Sequence, residues 1–519
     1  MRVGSMWLRS AVAAGAVMVF AAGTGYAQEQ AGGALGVFEG QSDVGTVTPP
    51  GTAKFDGGVY TISSAGVNMW AREDAFHFVW KKMSGDAALM ADISFGESQH
   101  PDPHRKAVLI FRQSLDANGI YVDAAQHGSG LMGLQYRREP GATTQDIELS
   151  TEQLPQRLKL VKRGDTFTMY LSNHGEPLHA VGATIKLHLQ EPFYAGIGVC
   201  SHNKDMVETA KFSNVKLETG AAAVAAVGPE GSVPSSTLQT VGIEENFRRA
   251  LVVTTGPGRM EAPNWSKDGK TLVFNRDGKI WRVPAEGGEA AVVNTGEATK
   301  CTGSHGLSPD GKLLAISCST PGKSETRVYI VPAEGGEPKL LTEAAWSYFH
   351  GWSPDGKTIT FTRPDHKGGG NIFAIPAGGG AEKALTTGSG ISDDPDYSAD
   401  GKWIYFNSDR GGSMQIWMMR PDGSGAEQVT RDEYANWTPH PSPDGQSVLI
   451  LSYPKGVTGH PTNTDISFRV LNVADRKIRA VVDVVGGAGS DNTPNWAPDG
   501  KHFAFVSFQM PTEGAAAVK

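Results

Sequence analysis

The chain has 519 residues, with 47 lysines and arginines against 55 acidic residues and a net charge of −8. That balance excludes the basic surface a nucleic-acid partner needs, and 65 glycines with 30 prolines favour a turn-rich, all-β build. The length predicts two domains.

Residues 1–27 carry Arg2 and Arg9, an apolar run from Ala11 to Ala22 and the small-x-small site Gly25-Tyr26-Ala27. This is the pattern of a secretory signal peptide cleaved near Ala27, and the apolar run is too short to cross a bilayer. The mature protein is expected in the periplasm or outside the cell, with no membrane span.

From residue 34 to 219 the pattern is non-repeating β. Strands are predicted at Gly58–Ile62, Ala75–Lys81, Ala87–Phe95, Ala107–Arg112, Gly119–Ala124, Leu131–Arg137, Arg157–Lys162, Thr166–Ser172, Thr184–Leu189, Phe193–Ser201 and Glu208–Leu217. Polar turns between them predict a two-sheet sandwich. Within it, Trp70, Asp74, His77 and Arg112 read as core and structural residues rather than a ligand site, because Met69, Phe76 and Phe78 beside them are core-like. The loop His100-Pro-Asp-Pro-His104 is a weak metal pattern. The phrases Gly66-Val-Asn-Met-Trp70, Asp74-Ala-Phe-His-Phe78, Lys106-Ala-Val-Leu-Ile-Phe-Arg112, Leu160-Val-Lys-Arg-Gly-Asp-Thr-Phe167 and Ala210-Lys-Phe-Ser-Asn-Val215 resemble the concanavalin-like or laminin-G-like jelly-roll. That resemblance implies a glycan-binding or adhesive module.

Residues 220–236 are small and proline-containing with no large apolar anchor, which predicts a flexible linker between separately folded units.

Beyond it, one phrase recurs six times, with its Asp at 268, 310, 355, 400, 444 and 499. NWSKDG, LSPDG, WSPDG, YSADG, PSPDG and WAPDG each place turn residues ahead of an alternating strand, and a period of this size marks a propeller array. The sixth repeat is two strands short at its end. Strand-like segments at Ser236–Ile243 and Phe247–Thr255 supply the deficit, predicting a ring of six blades over residues 237–510. The phrase resembles the TolB-type six-bladed propeller, a family whose members serve as protein-binding scaffolds, as gating domains of peptidases and as oligogalacturonate lyases. No Gly-x-Ser-x-Gly elbow is present.

The inner-strand starts and facing loops of such a ring gather at one mouth. They contribute His305, His350, Asp393, Asp394, Asp396, Asn436, His440, Asp491 and Asn492, with Arg363, His366, Asp409, Arg410 and His460 from the loops. His305, His350 and His440 are candidates for an axial divalent metal, against a water-filled polar channel. His305 and His350 stand five residues before their Asp and His440 four, so strict alternation sends them to opposite faces. The loop from Tyr453 to Thr464 is either a binding element or a surface insertion. Trp265, Trp352, Tyr397 and Trp496 occupy one repeat position and read as inter-blade packing.

Of three cysteines, Cys301 and Cys318 flank the blade 2 turn and either pair as a disulfide or stay as buried thiols, while Cys200 lies in an apolar strand. The sequence points to an exported binding or scaffold protein with a glycan or envelope-protein partner. The alternative is a polysaccharide lyase or glycoside hydrolase at the propeller mouth.

Overall fold

A computed structural model describes residues 35–98, 101–150, 157–172, 178–220, 235–244, 248–365, 368–388 and 390–509. Residues 1–27, expected to be a signal peptide, His100, His366 and residues 221–234 of the expected linker lie outside them.

The turn phrase explains the blades. In blade 3 the Ser353 hydroxyl donates to Asp355 Oδ1 at 2.7 Å and accepts the Thr358 amide at 2.9 Å, while Asp355 Oδ1 accepts the Lys357 amide at 3.1 Å. Gly356 completes the turn at φ 70°, where a side chain would be strained. The same bonds recur around Asp268, Asp310, Asp400 and Asp444. Five four-stranded antiparallel sheets result, each beginning with its inner strand: Met260–Trp265, Lys300–Leu307, Tyr348–Trp352, Ser392–Tyr397 and Ala435–Pro441.

Blade 6 closes the ring. Its inner strand is reduced to a bridge between Trp496 and Phe503, and His502–Gln509 pairs with Ser235–Gly242, which pairs with Arg248–Pro257. Trp352 Nε1 donates to the Gly306 carbonyl of blade 2 at 3.0 Å, and Trp496 Nε1 to the His440 carbonyl of blade 5 at 2.8 Å. These tryptophans join neighbouring blades. On blade 2, Cys301 and Cys318 oppose each other in register and are bonded.

The N-terminal part forms two antiparallel sheets whose facing side chains share a core, with Leu89, Leu158 and Phe167 from one and Leu109, Phe111 and Leu134 from the other. Four strands escaped the sequence reading: Gly40–Val44, Thr52–Asp56, Asn68–Trp70 and Gln145–Ser150. The strand expected at 184–189 lies instead at His179–Lys186. Asp74 receives Arg137 at 2.8 and 2.9 Å, with Arg112 at 3.5 Å, all three fully buried. His77 is held between Asp43 and Gln41 at 2.7 and 3.0 Å. Both are internal brackets.

The expectation of separately packed units is corrected. Gln145–Ser150 pairs in parallel with Arg248–Pro257, so one eleven-stranded sheet runs from the N-terminal part into blade 6. Ser235 and Ser236, assigned to the linker, are already strand. The core continues likewise into Phe468, Trp496 and Phe503. Exposed pairs at this junction, Arg163 with Asp465 at 3.1 Å and Lys186 with Asp483 at 3.6 Å, add little by comparison.

Candidate functional site: the axial channel of the propeller

The inner strands carry a β-bulge at a common repeat position. Their register jumps between Glu261 and Asn264, Phe349 and Gly351, Asp393 and Asp396, and Trp437 and His440. In three blades a non-glycine residue there has positive φ: Ala262 at 54°, Asp394 at 51° and Thr438 at 46°. An extra residue inverts the alternation of everything beyond it. His350 and His440, placed on opposite faces by simple counting, therefore both meet the carboxylates of the blade 4 inner strand.

The contacts form a chain. His350 Nδ1 lies 3.0 Å from Asp394 and its Nε2 3.4 Å from Asp393. Farther along the same strand, Asp396 is 3.2 Å from His440 Nδ1, and His440 Nε2 is 2.7 Å from the Asp491 carbonyl. Thr438 donates to the Asp491 carboxylate at 3.0 Å. Acid–imidazole contacts link blades 3, 4 and 5, and a histidine–carbonyl bond with a threonine–carboxylate bond carries the chain on to blade 6. The loop from Tyr453 to Thr464 folds against this chain: Tyr453 donates to the Pro461 carbonyl at 2.8 Å, and His460 stacks on Trp437 with ring centres 4.6 Å apart.

Burial and charge compete at each group. Burial disfavours the cationic form of His350, but Asp394 and Asp393 outweigh it and raise its pKa. His440 is raised in the same way by Asp396 and Asp491. Burial would raise Asp394, yet His350, His460 and His440 bring it below the usual carboxylate range. Asp491 is pushed up to about 7 by burial, and His460 down to about 4. Four carboxylates thus face two histidines, and burial pushes three of the four, Asp393, Asp396 and Asp491, towards the neutral form.

Among the described residues, His350, Asp393 and Asp394 offer three ligand atoms within 4.8 Å of one another. One imidazole with two carboxylates is a donor set for a divalent cation.

The expected set of three histidines is not assembled. His305 is fully buried in the blade 2 strand against the Val273 and Thr302 backbone, where burial pushes it down to about 4. The wider bulge between Cys301 and His305 turns it away from the chain. Arg363 is occupied by Glu382 at 2.9 and 3.0 Å and lies over Phe361 and Phe373. Arg410 donates to Ser408 and Ser392 at 3.0 and 2.8 Å, over Phe406 and Trp417. Each serves its own blade. Sequence reasoning missed Thr438 and Trp437. A signal was available: Pro263, Pro395, Pro439 and Pro494 each stand five residues before the turn Asp, and the residue preceding three of them is the one at positive φ.

Residues 349–509 match the TolB beta propeller domain model PD40. The uncharacterized protein Atu1656 of Agrobacterium fabrum is 43% identical over 288 residues, which is 55% of this chain and 96% of that protein. The chain belongs to the TolB β-propeller family. A solved structure of a TolB candidate from Agrobacterium tumefaciens superposes on it with a TM-score of 0.51 at 41% identity, over 54% of this chain and 99% of that one. A TolB homolog of Chlorobium luteolum is 31% identical over 112 residues, only 22% of this chain and 23% of that protein. In this TolB-type propeller the acid–imidazole chain occupies the channel side of the inner strands.

Proposed function

We propose that the protein is an exported binding scaffold of the cell envelope or extracellular space, in which a concanavalin-like sandwich is fused to a TolB-type propeller holding one divalent cation in its channel. The observation that carries the cation is the group of His350, Asp393 and Asp394, whose ligand atoms lie within 4.8 Å of one another. Metal binding displaces the His350 proton and uses its neutral ring. Asp393, with its side chain 32% exposed, gives solvent access to a small ion, whereas Asp394 and Asp396 are buried. This geometry supports a structural ion better than a polymer cleft. The Cys301–Cys318 bond supports an oxidising compartment. The partners are a glycan or an envelope protein, engaged on the outer surfaces of the two units.

The test is elemental analysis of the purified mature chain beside His350→Ala and Asp394→Asn, followed by glycan-array and pull-down screening of the full chain. Stoichiometric divalent metal lost in both variants is the expected result. Well-folded protein without metal overturns the cation, and absence of any glycan or protein partner overturns the scaffold.

A lyase or hydrolase is the second reading, favoured by the two imidazole–carboxylate pairs, which are the equipment of general acid–base chemistry. Turnover of uronate-containing glycans that disappears in His440→Gln would establish it. The commitments of Arg363 and Arg410 within their blades count against it, because neither of these guanidiniums is left to neutralise a uronate.

A further inference from the structure

A second cluster of imidazoles lies far from the propeller. Strands Phe193–Cys200, Lys106–Arg112 and Tyr121–His127 are neighbours in that order within the large sheet. His202 lies two residues beyond the end of the first, His104 two before the start of the second, and His127 ends the third. Three adjacent strands therefore deliver three histidines to one end of the sheet. The His104 ring centre is 5.3 Å from that of His202 and 6.0 Å from that of His127. Asp102 joins them, with Oδ1 3.4 Å from His202 Nδ1 and 2.8 Å from the His104 amide.

We propose that His104, His127 and His202, with Asp102, form a binding site for a transition-metal cation of the Zn2+ class. Imidazoles sharing a zinc at Zn–N of about 2.0–2.1 Å place their ring centres about 5 Å apart, close to the spacings of His104 from His202 and His127, so binding asks for small turns of these side chains.

Two further features point to a ligand. His127 is buried, and neither of its ring nitrogens has a hydrogen-bond partner, an expensive condition unless something is bound there. Lys106 stands opposite it in the strand register. The adjacent ammonium is already engaged: Lys106 Nζ donates to the Met69 carbonyl and Gln135 at 3.0 Å each. His202 is held at φ 62°, a conformation a β-carbon resists, which fixes its ring beside Asp102. Three imidazoles and one carboxylate suit zinc, copper or nickel, and distinguish this site from the oxygen-richer set in the channel.

The experiment is calorimetric titration of Zn2+ into the metal-stripped mature chain, alongside His104→Ala, His202→Asn and the channel variant Asp393→Asn/Asp394→Asn. Asparagine tolerates the left-handed backbone, and His104 is exposed, so both site variants keep the fold. The site predicts one Zn2+ equivalent that persists in the channel variant and weakens by at least about 10-fold in either site variant. Wild-type affinity and stoichiometry in both site variants would overturn it. As a check that needs no variant, substoichiometric Ni2+ must broaden the imidazole resonances of these three histidines in the wild-type chain, and unchanged resonances would also sink the proposal. Loss of Zn2+ only in the channel variant would support the axial cation and reject this second site.

Discussion

Asp396 of blade 4 and His440 of blade 5 face each other at 3.2 Å across the seam between two blades, while the other nitrogen of the same ring bonds a carbonyl of blade 6 at 2.7 Å. With Asp396 ionised both partners are acceptors, and a ring that donates from both nitrogens is cationic. One side chain thereby ties three blades.

Replacing His440 with Ala leaves the buried Asp396 without its counter-charge. The expected cost is about 3–5 kcal/mol, the range for breaking a buried pair. Denaturant unfolding of His440→Ala and of Asp396→Asn/His440→Ala checks it: the double variant, having no stranded carboxylate, recovers part of the loss.

Stability falls as pH rises through neutrality. His350 and His440 have folded pKa values above the ordinary histidine value, so their contribution is complete below about 6.5 and is lost as pH climbs through the folded value. Asp491, raised to about 7, adds loss in the same direction between the ordinary carboxylate range and neutrality. Asp394, lowered, acts oppositely in acid, and the lowered His127, His305 and His460 add stability as pH rises towards about 6.5 and nothing beyond it. Calorimetry of the metal-stripped chain from about pH 6.5 to 8.5 should therefore show a falling Tm, with a shallower slope near neutrality in Asp491→Asn. A flat or rising profile contradicts these assignments.

Reduction of Cys301–Cys318 frees a loop of sequence separation 17 in the unfolded chain. The chain-entropy model puts the loss at about 3 kcal/mol. Thermal unfolding of Cys301→Ser/Cys318→Ser against the oxidised protein measures it, and an unchanged Tm would show that blade 2 is held by its neighbours instead.

Removing Asp74 strands Arg137 and Arg112, both fully buried. Asp74→Ala is expected to cost about 3–5 kcal/mol. Loss of near-UV circular dichroism below the wild-type transition would reveal it; wild-type stability would show that water reaches the two guanidiniums.

The ring was legible in the sequence because its turns are chemical. A Ser-x-Asp-Gly phrase fixes its own hydrogen bonds, so five copies, with the Ala-x-Asp-Gly variant ending at Gly500, announce six blades. The channel was only half legible. Counting residues from the turn assumes an unbroken strand, and the bulges at Asp394 and Thr438 violate that with residues that propensity would not place at positive φ. His460 reached the site through a loop whose path depends on its stack against Trp437. In the N-terminal part, Gly40–Val44 and Thr52–Asp56 are short and mostly polar in sequence, giving little period-two signal. Gln145–Ser150 was missed for another reason. Its parallel partner lies about a hundred residues downstream, beyond any local pattern.

The blade 6 closure has a temporal side. Ser235–Gly242 is synthesised well before its partner His502–Gln509, yet it must lie between that strand and Arg248–Pro257 in the finished sheet. Throughout the emergence of five intervening blades, one edge of this hairpin waits unpaired, while its other edge already has Gln145–Ser150 to lean on. The N-terminal sheet thus serves as a mooring for the first propeller strands, and the last of the described strands to be synthesised is the one that locks the circle. A chain cut short before His502 would keep every turn phrase and still be an open coil of blades with a bare, adhesive strand edge.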